Sequence, residues 1–252
     1  MSYIFYKSLK RNSETVESEY KNGVVYYGLP KDVFYCKSCV ISNQRPNSEY
    51  EFKHTAKTKK RTIVFRDGLC DACYYATQKK TTVDWEKREK ELRDLCDKHR
   101  KSDGSHDCIV PGSGGKDSFF QAHIIKELGY NALLVTYNAN NYSDTGLKNV
   151  QKMRETFGFD HIFFTPAVKT LKKLNKLGML VMGDMNWHAH AGIRIIAPKS
   201  AIQFHVPLFI YGEVSWDISG MFSINDYAQF NKRTVLEHDM RGYTINDFNE
   251  NP

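Results

Sequence analysis

The segment Ser113-Gly-Gly-Lys-Asp-Ser118 lies between a short apolar stretch, Asp107-Cys-Ile-Val-Pro111, and a run of helical character, Phe119–Leu128. Two consecutive glycines let a backbone turn sharply and bring its N–H groups close to a ligand. The helix that follows aims the positive end of its dipole at the same place, so a loop of this kind suits a phosphate. Lys116 adds a cation, Ser113 and Ser118 add hydroxyl donors, and Asp117 supplies a carboxylate suited to a Mg²⁺ carried by a nucleotide. The GxxxxGK[ST] spacing is absent, so this is not a Walker loop. Downstream, strands at Ala132–Tyr137, His161–Thr165 and Pro207–Tyr211 alternate with helices. Those helices run from about Thr145 to Phe157, around Lys169–Leu177, and over Asp184–Phe204 with an interruption near Pro198. This alternation predicts an α/β fold built on a doubly wound parallel sheet.

The cysteines define a second element. Cys36-x-x-Cys39 and Cys70-x-x-Cys73 are two knuckles separated by thirty residues. In a chain without a secretory signal, paired cysteines read as metal ligands before disulfides. Four thiolates at this spacing close a tetrahedral Zn²⁺ site and hold together a module too small for its own core. The same four ligands also suit an iron–sulfur cluster. Cys96, on the apolar face of a charged helix, and Cys108 read as small buried hydrophobes.

With 252 residues the chain has room for about one full domain plus a small module. The reading is a zinc-binding module over 1–82, a connecting helix over 83–106 and a nucleotide-type domain over 107–252. A hydrophobic fraction of 41% excludes a disordered chain. The longest apolar runs are far below the ~20 residues a membrane span needs, and the N-terminal residues lack the apolar core of a signal peptide. A soluble, cytoplasmic protein with no membrane partner is expected. The net charge of +7 is uneven: residues 1–108 carry 22 Lys and Arg against 16 Asp and Glu, residues 109–252 carry 14 against 13. That bias suggests an anionic partner for the N-terminal part. The basic stretch Lys53–Arg66 reads either as a solvated hairpin or as an RNA contact.

SGGKDS resembles the signature of the PP-loop ATP pyrophosphatases, which share the adenine nucleotide alpha hydrolase-like fold. That resemblance implies cleavage of ATP between its α- and β-phosphates, pyrophosphate held in the loop, and AMP passed onto a carbonyl-type oxygen. Members that thiolate tRNA use cysteines beyond the loop, and here no cysteine follows Cys108. Members with their own glutaminase use an N-terminal cysteine or an added domain. Position 2 is Ser, and the length leaves no room for such a domain. The double CxxC, the charged helix, SGGKDS and the tracts NWHAHAGIRI and FIYGE together are similar to the N-acetyl sugar amidotransferases, from about Val33 onward. That family makes acetamidino sugars, including pseudaminic-type nonulosonic acids, for lipopolysaccharide and flagellin glycosylation. Its members continue past the point where this chain stops, which implies a further C-terminal part.

The resemblance implies ATP, Mg²⁺ and Zn²⁺ as cofactors, an N-acetyl sugar as substrate and a separate glutaminase as the source of ammonia. It places Ser113, Gly114, Gly115 and Ser118 on pyrophosphate, Lys116 on the phosphates and Asp117 on magnesium. His188 and His190 lie two apart, which on a helix makes them diverge by ~200°, so they do not share a metal. One of them, His188 first, reads as a contact to sugar or AMP, and a structural role for both is the other reading. Arg194 reads as a nucleotide or substrate contact or as a surface ion pair. Glu213 ends the last strand, where the crevice of an open α/β sheet lies, and reads as a polar site residue. Asn138 and Asn140, after another strand end, read as AMP contacts. Two rival functions share the loop: a tRNA-modifying ligase of the lysidine-synthase type, and a non-catalytic nucleotide-binding subunit of a glycan-modification complex.

Overall fold

The computed structural model describes residues 29–30, 32–45, 62–139, 142–212 and 235–244. They fall into two compact units, one drawn from Met1–Val83 and Val214–Pro252, the other Asp84–Glu213.

In the first unit, strands β1 (Phe65–Arg66) and β2 (Leu69–Cys70) form an antiparallel hairpin. Asp67 and Gly68 at its tip both have positive φ, 52° and 82°, as the two central residues of a type I′ turn require. Helix α1 (Asp71–Thr81) begins directly after Cys70. The first knuckle docks on this hairpin: Lys37 N donates to Gly68 O at 2.9 Å, and Cys36 N donates to Ile41 O at 2.8 Å. Buried Asn43 fixes the approach, donating to Asp32 O at 2.7 Å and accepting from Phe34 N at 3.2 Å. Cys36, Ile63 and Cys70 form the small core, with Ile41, Phe65 and Leu69 packed on it. A single π-type turn spans Val235–Asp239.

The second unit runs α2 (Trp85–Lys98), β3 (Cys108–Pro111), α3 (Lys116–Glu127), β4 (Ala132–Tyr137), α4 (Asp144–Phe157), β5 (Asp160–Phe164), α5 (Val168–Met182) and α6 (Trp187–Phe204). Two helix starts carry side-chain caps: Asp84 accepts from Lys87 N at 2.9 Å, and Ser143 accepts from Gly146 N at 3.1 Å. Strands β3, β4 and β5 are parallel in that order. The segment around Phe209 joins the opposite edge of β3, also parallel, with Ile109 N donating to Leu208 O and Ile210 N to Ile109 O, both at 2.9 Å. The final strand expected at Pro207–Tyr211 is thus reduced to a bridge, but it lies in register beside β3.

Alternation along the strands splits the core into two layers. Cys108, Val110, Ala132 and Leu134 face Cys96, Ala122, Ile125, Met153 and Phe157, whereas Ile109, Leu133 and Val135 face Ile196, Ala197 and Val206. Helices therefore cover both faces, which is the doubly wound α/β arrangement. Helix α2 belongs to the first layer through Cys96 and Leu92. Tyr130 secures it, donating its hydroxyl to Asp97 Oδ1 at 2.8 Å under the Arg100 guanidinium.

Two boundaries differ from expectation for identifiable reasons. Helix α3 begins at Lys116, three residues before Phe119, because Gly115 in extended conformation (φ −80°, ψ 170°) serves as its N-cap. Helix α6 runs through Pro198 without stopping. Proline cannot return an N–H to the carbonyl four residues earlier, and the Tyr211 hydroxyl fills that place, 2.9 Å from Arg194 O and 2.7 Å from Ile193 O. Among the described residues no helix is long and apolar enough to cross a membrane.

Leu134 sits fully buried in the middle strand. Leu134→Ala is expected to lower the unfolding free energy by about 2–5 kcal/mol in a urea titration; a loss below about 1 kcal/mol would contradict its place in the core.

Candidate functional site

Because β4 lies on one side of β3 and the Phe209 segment on the other, the chain's crossovers diverge at the carboxyl end of β3. In open α/β sheets that divergence leaves a crevice, and the glycine-rich loop opens into it. A cavity of about 300 Å³ lies there, lined by Gly112, Ser113, Gly115, Asp117 and Ser118 at one end. Tyr137 at the end of β4, Ala139 and Tyr142 after it, the α6 residues Ala189, Ile193 and Ile196, and Tyr211–Gly212 form most of the remaining wall, with Gln121 of α3 among them.

The loop's shape follows from its residues. Gly114 has φ +76°, and a Cβ there would lie 2.7 Å from Val150 N and 2.9 Å from its side chain. Only glycine combines that left-handed conformation with so close an approach to the α4 backbone. Ser118 closes the loop from within: its hydroxyl donates to Gly115 O at 3.0 Å and accepts from Ser113 N at 3.3 Å. Lys116 and Asp117 are exposed at the α3 N-terminus and paired, Nζ lying 2.6 and 2.7 Å from the two carboxylate oxygens. One end of the cavity therefore carries the Ser113 hydroxyl, the Asp117 carboxylate and the N–H groups of the α3 N-terminus, with Lys116 paired to Asp117 just outside the lining. The other offers aromatic and aliphatic surface. Such a division suits a ligand with an anionic end and a flat apolar end.

The other sequence-selected positions lie elsewhere. His188 is buried, with Nε2 2.5 Å from Asn175 Oδ1 on α5, and burial holds its pKa below the ordinary histidine range. Arg194 is buried with its guanidinium 5.3 Å from the centre of the Tyr211 ring. Neither lines the cavity, and the same is true of Asn138, which donates to Thr165 Oγ1 at 3.2 Å. His190 is exposed. Glu213 and Asn140 lie outside the described residues.

Sequence reasoning missed most of the apolar wall. Tyr137 and Ala139 are two apart on one side of an extended segment, so Asn138 between them faces away. Ala189, Ile193 and Ile196 form an i, i+4, i+7 stripe, and Gly192 lies on it. A Cβ on Gly192 would sit 2.3 Å from the Tyr137 ring, which also stacks on Phe164 at 5.8 Å. At Gly212 the space a Cβ would take is occupied by the Gln121 amide, the end of a side chain that can move aside.

In the other unit, the sulfur atoms of Cys36, Cys39, Cys70 and Cys73 all lie within 4.8 Å of one another, and none of the four is in a disulfide. Tetrahedral Zn–S bonds of about 2.3 Å put sulfurs about 3.8 Å apart; Cys39 and Cys70 are 3.6 Å apart. Cys36 Sγ accepts from Cys70 N at 3.3 Å and Ser38 N at 3.4 Å, the N–H···S bonds that steady a thiolate. The Cys70 N–H pulls the Cys36 thiol down to about 6, while burial pushes Cys70 up to about 12. The donor set fits a thiophilic cation such as Zn²⁺.

No family model matches the chain. A protein of Methanocaldococcus jannaschii described as uncharacterized is 37% identical over 76 residues, 29% of this chain and 26% of that protein. The chain thus spans about a quarter of the curated relative it matches. Among solved structures, the chain is similar to the NH3-dependent NAD synthetase from Campylobacter jejuni, with a TM-score of 0.36 and 13% identity. The match covers 48% of this chain and 54% of that one.

Two outcomes follow from the geometry. Gly129 also has positive φ, with nothing within 4 Å of its Cβ position. Gly129→Ala should therefore cost only about 1–2 kcal/mol of backbone strain, whereas Gly114→Ala should cost a further ~1–3 kcal/mol through overlap with α4. Equal losses on thermal denaturation would contradict the close approach. Elemental analysis should find about one zinc ion per chain, lost in Cys70→Ser; a wild-type chain carrying neither zinc nor iron would remove the metal from the cluster.

Proposed function

We propose that this chain is an ATP-dependent amidotransferase that converts the acetamido group of an N-acetyl sugar into an acetamidine, releasing AMP and pyrophosphate. One observation carries the nucleotide part of this reading: a glycine-rich strand–loop–helix opens onto a cavity with the loop's polar groups and Asp117 at one end and mostly apolar surface at the other. The substrate class rests on the resemblance of the double CxxC, SGGKDS, NWHAHAGIRI and FIYGE tracts to the N-acetyl sugar amidotransferases.

In this reading the acetamido oxygen attacks the α-phosphorus of ATP. The bond to the β-phosphate oxygen breaks, and pyrophosphate leaves into the loop. The amide proton is lost, giving an O-adenylyl imidate. Ammonia adds to the imidate carbon, sheds a proton, and expels AMP to leave the acetamidine. The protein's contribution is chiefly to position the partners and neutralise charge. The loop of Ser113, Gly114 and Gly115 holds pyrophosphate, Ser118 exchanging its bonds to Gly115 O and Ser113 N for the ligand, and Lys116 binds the phosphates. Asp117 takes the Mg²⁺ that the nucleotide carries, which offsets phosphate charge during the transfer. The flat end of the nucleotide lies against Tyr137, Tyr142 and the α6 stripe.

Arg194 reaches the cavity only through the Tyr211 ring beneath its guanidinium, and His188 and Asn138 stay outside the lining. Glu213, next in sequence to the lining residue Gly212, is the proposed acceptor of the proton shed by ammonia. Ammonia comes from a separate glutaminase, and the four-cysteine module holds zinc in a structural role.

The test is incubation of the whole chain with Mg-ATP, ammonia and an N-acetyl nonulosonic acid, free or nucleotide-activated. AMP should form together with a product in which oxygen is exchanged for NH. AMP release with tRNA, and none with any acetamido sugar, would overturn the assignment. Asp117→Ala should slow pyrophosphate release at least about 100-fold with an unchanged far-UV circular dichroism spectrum; wild-type turnover in that variant would remove the magnesium role.

A further inference from the structure

We propose that Thr136 is a positioning residue for the glycine-rich loop, acting through the Gly112 carbonyl and itself held in place by His161. The proposal rests on the nucleotide reading above only for the loop's ligand, not for the loop's geometry.

Thr136 lies in the central strand β4, is 2% exposed and does not line the cavity. Its hydroxyl contacts the carbonyl oxygen of Gly112, where β3 gives way to the loop. The same hydroxyl lies 2.8 Å from His161 Nε2 on β5. A carbonyl oxygen can only accept, so the single hydroxyl proton goes to Gly112. The hydroxyl oxygen then has only lone pairs to offer, which requires His161 Nε2 to carry the ring proton and donate it. The result is a one-directional chain of donors from the edge strand, through the central strand, to the root of the loop. Burial, reinforced by Arg154, holds His161 at about 4, so the imidazole is neutral at physiological pH.

The consequence for the loop follows from the planarity of the peptide bond. The Gly112 carbonyl and the Ser113 N–H belong to one rigid unit and point in opposite directions. Drawing the carbonyl back to Thr136 therefore aims the Ser113 N–H forward, where it meets Ser118 Oγ at 3.3 Å. Gly112 N is fixed as well, donating to Val135 O at 3.0 Å. The peptide units on both sides of Gly112 are thus set by β4 before the chain reaches Gly114. Replacing the hydroxyl by a methyl would leave that half-buried carbonyl without the Thr136 donor while changing the side-chain volume little.

The experiment compares wild type with Thr136→Val, Thr136→Ser and His161→Phe. Hydrogen exchange of the 112–118 segment is followed by mass spectrometry, and binding of Mg-ATP and of magnesium pyrophosphate by calorimetry. Thr136→Val should speed exchange in this segment, and weaken binding, by about tenfold. Thr136→Ser, which keeps the donor, should stay within about threefold of wild type, and His161→Phe should fall between the two. Leu134→Ala on the same strand is the control for stability alone and should leave exchange in 112–118 near wild type under native conditions. Unchanged loop exchange in Thr136→Val, or a Thr136→Ser variant as impaired as Thr136→Val, would overturn the proposal. Should Thr136→Val fail to fold, His161→Phe with wild-type loop exchange would overturn it equally. A wild-type chain that binds neither ligand while its loop exchange still responds to Thr136→Val would refute the nucleotide reading and support the positioning role.

Discussion

Strand β3 is hydrogen-bonded along both edges and buried on both faces. On one side it pairs with β4, on the other with the segment around Phe209, and its first three residues are all but inaccessible to solvent. A strand so enclosed cannot shift register without reversing which side chains meet each layer of helices. Its end is therefore a fixed point, and the loop that leaves it inherits that rigidity. The cavity exists because the two flanking segments leave β3 in opposite directions. Gly114 and Gly115 then decide how the backbone fills the gap between them.

The parts of this arrangement legible in the sequence are those written in consecutive residues. SGGKDS carries its turn, its dipole and its charges within six positions, and each CxxC knuckle brings two ligands together by itself. Strand and helix alternation was enough to give a parallel α/β sheet, because hydrophobic periodicity is a local property. The cavity wall was not legible for the opposite reason. Tyr137, Ile193 and Tyr211 meet only after two crossovers, and none carries a functional group that stands out in a one-dimensional reading. His188 and Arg194 drew notice by residue type, yet the helical stripe facing the cavity is set by Ala189, Ile193 and Ile196. Pro198 gave the opposite difficulty: a strong local signal for a break is overridden by a hydroxyl thirteen residues away.

Glycine has several distinct uses in this chain. At Gly114 the backbone conformation and the nearby helix both demand it, whereas at Gly192 the demand is for space, against the Tyr137 ring. At Gly158 and Gly183 it ends helices in the left-handed conformation with open surroundings. The sequence shows the same letter in each case, so the distinction between close approach and simple chain reversal emerges only in three dimensions.

The sulfur atoms of the chain are divided between the two units. Cys36, Cys39, Cys70 and Cys73 gather in one, while Cys96 and Cys108 are buried in the apolar layer of the other. Burial raises the pKa of both core thiols, that of Cys108 to about 12, so neither supplies appreciable thiolate while that layer is packed. An alkylating reagent thus meets two populations, four clustered sulfurs of which two are only half-buried, and two that become accessible only when the sheet opens. The molecule carries, in its own residues, separate chemical gauges for the integrity of each half.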